Sequence, residues 1–252
     1  MPQRRDYQPS FADVPPTWDG QWGVLREFVR RWHGVSLGPV RKGSPLVEQV
    51  ESKFGLTLPP SVREWVSFSE ELLAQNAFGI LRDCYKVDRL KSHAAVSLML
   101  QGEGDVYWAV KLEDFDVEDP PVNTYYLDYD NNEFVHGGLN APNVPSFVLG
   151  HLAYYLHGRG GGFLVRCEPT EAFVSEMRRA FPIAVQFGHL QVFEAENIIA
   201  IIMPPQFGIE DHHLLVEVYR PLPMTQIPDC VLAYTKNGGA FHGAFAPTFN
   251  RP

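Results

Sequence analysis

The chain has 252 residues, 45% of them hydrophobic and 20% charged, enough apolar material for one large core or two modest ones. No stretch approaches the roughly 20 apolar residues that span a bilayer, since the uncharged run Asn143 to Leu156 is broken by Pro145, Gly150 and His151. The Met-Pro-Gln-Arg-Arg-Asp start has no apolar run behind its arginines, unlike a secretory signal, so the expected address is the cytoplasm and no membrane partner is expected.

Four prolines and little periodicity mark residues 1 to 17 as a tail or surface strap. A first helix is predicted from about Trp18 to Trp32. Trp22, Leu25, Phe28, Val29 and Trp32 form its inner stripe, Arg26, Arg30 and Arg31 take the other face, and Gly34 ends it. Ser44-Pro45 is an N-cap followed by proline at the first helical position. Leu46, Val47, Val50 and Phe54 then make a second stripe, stopped at Gly55. Leu56 to Ser61 reads as a short extended link, and Val62, Trp65, Val66, Phe68 and Leu72 predict a third helix.

The period then changes. Ala94 to Leu100 and Val106 to Leu112 read as strands joined by Gln101-Gly-Glu-Gly-Asp105, a turn whose glycines can take positive φ. Val106, Trp108 and Val110 are expected to face the core. Tyr125 to Leu127 and Glu133 to Val135 bracket a turn over Asp128 to Asn132. A helix from about Pro145 to His157 follows, capped by Asn143 and stopped by Gly158, and Gly158 to Gly162 reads as a linker. Beyond it, a helix opened by Pro169 places Phe173, Met177 and Phe181 inside, with Glu176, Arg178 and Arg179 outside. Strand-like runs follow at Ile183 to Phe187, Leu190 to Glu194, Ile198 to Met203, Leu214 to Tyr219 and Val231 to Tyr234. The second half is thus one helix plus a β-meander, either extending the first sheet or building its own.

The net charge of −9 is concentrated. Glu103, Asp105, Glu113, Asp114, Asp116, Glu118, Asp119, Asp128, Asp130 and Glu133 face a single base, Lys111, so this stretch carries the entire excess. Such a field repels nucleic acid and draws in basic proteins. Aromatic residues lie within it. With Trp108 in the core, Tyr107 or Tyr129 is the candidate exposed anchor of a protein-binding patch. The candidate partner-binding residues are therefore Glu103, Asp105, Tyr107, Glu113, Asp114, Asp116, Glu118, Asp119, Asp128, Tyr129 and Asp130.

Catalytic and metal signatures are weak. Cys84, Cys167 and Cys230 are far apart, without a Cys-x-x-Cys pair, and read as buried thiols. Asp128-x-Asp130-x-Asn132 opens like a calcium loop, but Glu133 stands where glycine is needed and Leu139 where the closing glutamate belongs. His212 and His213 point to opposite faces of any strand, and His151 and His157 to different faces of their helix. No Gly-x-Ser-x-Gly elbow is present, and the Gly158 to Gly162 cluster lacks a following Lys-Ser/Thr. No catalytic residue, metal or cofactor is expected.

Leu46 to Leu58 and the Pro-Pro-Ser that follows, in the order Val-Glu-x-Val-Glu-x-x-Phe-Gly-Leu-x-Leu-Pro-Pro-Ser, resemble the opening of the SUKH superfamily, which includes the yeast cell-wall-synthesis regulator and many bacterial immunity proteins. Gln101 to Val110 is similar to that family's turn and central strand, Asp119 to Val122 to its next loop, and Val144 to Leu156 to its closing helix. The resemblance covers about residues 44 to 157. Where family members have a small polar residue and glycine after the second helix, this chain reads Ser69-Glu-Glu-Leu72, and 163 to 252 have no counterpart. The implied fold is α+β, a twisted antiparallel sheet flanked by helices. The implied organisation is an N-terminal tail and helix (1 to 43), a SUKH-like domain (44 to 158) and a C-terminal α+β extension or second small domain (163 to 252). The implied role is non-enzymatic binding of a basic protein, as an antidote occluding a nuclease or deaminase toxin. The alternative is a regulatory scaffold of the yeast type, and further off stands a hydrolase or metal enzyme with its site between the halves.

Overall fold

A computed structural model describes residues 8–40, 44–75, 85–90, 93–101, 104–156, 163–167, 169–205, 212–218 and 228–236. The fold is α+β, with two separate antiparallel five-stranded sheets among the described residues. The chain divides into two compact units, one made of Pro15–Arg30 and Gly34–Leu149, the other of Met1–Val14, Arg31–His33 and Gly150–Pro252.

Helix α1 (Trp18–His33), whose residues through Arg30 belong to the first unit, closes on Gly34, whose φ of 68° is the left-handed value a β-carbon disfavours. Helix α2 (Pro45–Phe54) begins where Ser44 Oγ accepts the Val47 N–H and ends on Gly55 at φ 64°. Helix α3 (Pro60–Ala74) starts at Pro60, inside the predicted extended link, because proline's fixed φ and missing N–H suit a first helical turn. Its buried face includes Val62, Trp65, Val66, Phe68 and Leu72. Arg26 and Arg31, placed above on the solvent face of α1, are both buried, and only Arg30 is exposed. In this unit Arg26 donates Nε to Glu64 Oε1 at 2.8 Å and Nη1 to the Gly38 carbonyl at 2.8 Å, with Glu71 a further partner at 3.3 Å. Burying a guanidinium is tolerated where its charge and donors are answered this fully.

The first sheet is a meander of β1 (Tyr85–Leu90), β2 (Ala95–Leu100), β3 (Val106–Lys111), β4 (Val122–Asp128) and β5 (Glu133–Ala141), each paired with its chain neighbour. Strand alternation sends Val106, Trp108 and Val110 into the core, as expected. Trp108 meets Phe147 of helix α4 (Val144–Leu156) at 6.2 Å, and Trp65 of α3 donates to the Leu98 carbonyl of β2 at 3.2 Å. Asn143 caps α4, its Oδ1 accepting the Ser146 N–H at 3.0 Å.

The second sheet runs β6 (Phe163–Cys167), β10 (His212–Val218), β9 (Ile198–Met203), β8 (Leu190–Ala195), β7 (Ile183–Phe187). The second half therefore builds its own sheet. Helix α5 (Glu171–Ala180) is capped by Thr170, whose Oγ1 accepts the Phe173 N–H, so Pro169 precedes the cap. Phe173 and Met177 point inward and Glu176, Arg178 and Arg179 outward. Val231 to Tyr234, predicted as a strand, lies in helix α6 (Asp229–Lys236). A short apolar run has no period to separate strand from helix, and the preceding Asp229 suits a helix's first turn. Strands β1 and β6 were not predicted. In this unit Glu194 is wholly buried on β8 and accepts the Ser10 and Phe11 N–H groups at 3.0 and 2.9 Å and the Trp32 indole N–H at 3.3 Å, with Arg31 Nε at 3.2 Å. The tail is thus a strap from Gln8 onward, with Phe11 buried edge-on against Phe187.

Cys230 is buried, its thiol pushed up by burial and 3.5 Å from Met177 Sδ. Cys84, the Cys167 side chain, His157 and the Gly158 to Gly162 linker lie outside the described residues. No helix among the described residues is long and apolar enough to cross a membrane.

Candidate functional site

The acidic stretch occupies β3, β4 and the connections around them. Strand β3 pairs antiparallel with β4, Val106 opposite Tyr126 and Ala109 opposite Asn123. The residues preceding β3 therefore share a sheet end with those following β4. Asp105, Asp128, Tyr129, Asp130 and Glu133 gather at that end, and Glu113, Asp114, Asp116, Glu118 and Asp119 at the other. Six residues of strand separate them by about 20 Å, beyond the ~8–10 Å screening length of ordinary salt. The single acidic patch expected from the sequence is thus two independent ones. Glu103 lies outside the described residues.

At the first end, Asp128 closes its own turn, Oδ1 accepting the Asp130 N–H at 3.0 Å and Oδ2 the Asn131 side-chain amide at 2.8 Å. The Asn131 amide and the Asp130 N–H hold its carboxyl below the usual carboxylate range. Those oxygens are turn acceptors. Tyr129 stands 70% exposed, but Tyr107 is partly buried with its ring edge-on to Phe134 at 4.7 Å. Tyr107 is thereby a packing residue of the sheet's second face rather than an anchor.

The other end is more ordered. A 3-10 turn over Leu112–Asp114 is followed by hydrogen bonds from Phe115 N–H to the Leu112 carbonyl and from Val117 N–H to the Asp114 carbonyl at 3.0 Å. The Glu118 carbonyl accepts the Ser61 N–H of α3 at 2.9 Å. Asp119, read from sequence as a partner-binding acid, turns inward, where its Oδ1 accepts the Val144 N–H at the start of α4 at 3.1 Å and its carboxylate is hydrogen-bonded to Ser61. Burial outweighs those bonds and raises its pKa to about 6. Asp119 therefore fastens the loop to the helices. Asp116 and Glu118 are exposed, Asp114 partly so, and Val117 stands 48% exposed among them. The Glu113 carboxylate reaches back 3.1 Å to Lys111, which raises the lysine's pKa chiefly through that hydrogen bond.

Beside this loop, on the face away from Trp108, the sheet carries an open pocket of about 360 Å³ lined by His93, Ala94, Lys111, Glu113, Tyr125 and His136. The buried Tyr125 ring packs beside the imidazoles of both His93 and His136, with centroids 5.0 and 5.4 Å away. His136 Nε2 is 3.1 Å from Asn123 Oδ1. Ala94 has a left-handed φ of 45°, rare for a non-glycine residue, and its carbonyl accepts the Leu112 N–H at 2.7 Å. The sequence reading missed this pocket. The available signal was the alternation Phe134, His136 on a strand continuing past Val135.

Among the described residues no group of three or more His, Cys, Asp or Glu side chains is arranged to hold a metal ion. No family model, no curated protein and no solved structure matches the chain.

Proposed function

We propose that the chain is a non-enzymatic binding module that docks a basic protein against the loop Leu112–Glu118 and blocks it. The carrying observation is the loop's construction. Glu113, Asp114, Asp116 and Glu118 surround the half-exposed Val117 on a backbone tied to itself, to Ser61 and, through Asp119, to the start of α4. A rigid acidic knob loses little entropy on binding, and its charge speeds encounter with a basic surface. The resemblance of residues 44 to 157 to SUKH proteins gives this reading its specific form, an immunity-type protein whose partner is a basic nuclease or deaminase toxin. The hairpin end with Asp105, Asp128, Tyr129 and Asp130 is left out, because it lies too far away for one compact contact.

The test is capture of the native partner by the wild-type chain and by Asp114→Lys/Asp116→Lys/Glu118→Lys, followed by affinity measured at low and high salt. Reversal is expected to weaken binding at least ~10-fold at low salt and to flatten the salt dependence. Affinity unchanged by the three substitutions would remove the loop from the mechanism.

A further inference from the structure

The pocket flanking the acidic loop has a composition that the loop alone does not explain. Its floor is aromatic, with Tyr125 beside two imidazoles, and its rim carries one carboxylate, Glu113, held by one ammonium, Lys111. The charged and titratable groups facing the Tyr125 ring are His93, Lys111, Glu113, Asp114 and His136. The lining itself carries one carboxylate and one ammonium, paired with each other, and Asp114 adds negative charge from nearby. The phenol of Tyr125 registers that balance. Burial is the main cause of its raised pKa, and Lys111 pulls it down while Glu113 and Asp114 push it up.

An entering anion would meet the Glu113 carboxylate, the nearby negative charge of Asp114 and a lysine already engaged. An entering cation would meet π faces and an accepting oxygen. A planar cation suits the site better than a spherical one, because guanidinium stacks on aromatic rings and bonds a carboxylate through two parallel N–H groups, whereas an ammonium acts as a point charge. Glu113 is free to be recruited, its side chain being 72% exposed while it leans on Lys111. The volume lies at the small end of the ~300–1,000 Å³ range of ligand pockets and has room for one inserted side chain. The strained Ala94 backbone forms part of its wall.

We propose that this pocket receives an arginine side chain of the basic partner, its guanidinium lying against the Tyr125, His93 and His136 rings and paired with the Glu113 carboxylate. The inference rests on the reading of the chain as a binder of basic proteins, and gives that contact its anchor.

The experiment titrates the full chain with N-acetyl-arginine amide, then with the matching lysine and glutamate compounds, following the ring resonances of His93 and His136 by NMR. A saturable shift in the millimolar range is expected with arginine. It should be ~3–10-fold tighter than with lysine and weakened ~2–5-fold by Glu113→Gln. Absence of any shift, equal affinity for lysine, a response to glutamate instead, or undiminished binding by Glu113→Gln would each overturn the proposal. Asp116→Lys/Glu118→Lys separates this from the loop. If that variant loses the native partner while no arginine site is found, the pocket assignment fails and the loop reading stands. If it binds the native partner normally, the loop reading fails whatever arginine does.

Discussion

Replacing Asp119 with asparagine isolates the effect of burying a charge beneath the acidic loop. The carboxyl has a pKa of about 6 in the fold against an ordinary 3.8, so the folded chain holds this proton more tightly than the unfolded one. Stability contributed by the group is then fully present below pH 3.8 and is lost as pH rises through about 6. The gap corresponds to about 3 kcal/mol, a ceiling because the residue retains some solvent contact. Asparagine keeps the shape and an oxygen for the Val144 N–H and Ser61, with no charge to desolvate. Asp119→Asn is therefore expected to match or exceed the wild type by about 1–3 kcal/mol near pH 7.5, with the two converging near pH 4.5. Urea unfolding at both pH values measures this, and amide exchange at Val144 and Phe147 localises it to the first turn of α4. A loss of about 1 kcal/mol or more at both pH values would refute the reasoning, since the ionised carboxylate would then be stabilising α4.

Three further substitutions probe the framework. Glu194→Ala removes the acceptor of two backbone amides and an indole, and the buried partner of Arg31; it should cost about 3–5 kcal/mol and speed proteolysis within Gln8 to Val14. Glu64→Ala, which takes a wholly buried carboxylate from Arg26, should cost a similar ~3–5 kcal/mol by denaturant unfolding. In Gly137→Ala the new β-carbon would sit 2.0 Å from Tyr126 Cε2, so a loss of about 1–3 kcal/mol in thermal or urea unfolding is expected.

Local chemistry was the legible part of the sequence. Ser44-Pro45, Gly34 and Gly55 bound helices because their effects act within one turn. The Val106, Trp108, Val110 alternation placed its strand for the same reason. What escaped depends on residues distant in sequence. Arg26 looks like a surface base until Glu64 and Glu71 come to it from α3. Asp119 looks like one more solvated acid until the start of α4 supplies Val144. The acidic stretch misled for a geometric reason. A meander reverses direction at every turn, so charges dense along the chain are delivered alternately to opposite ends of the sheet.

The strap that meets Glu194 bears on how the molecule can be divided. Ser10 and Phe11 dock on a residue more than 180 positions later, and Arg31 and Trp32 join the same carboxylate. A cut at Gly150 would therefore not yield two self-sufficient halves, because the later piece would lack Phe11, Arg31 and Trp32. Supplying residues 8 to 33 as a separate peptide should restore part of what that truncation loses. During synthesis Ser10 and Phe11 must wait for β8 to emerge before they can dock, a long-range closure that slows completion of the second sheet.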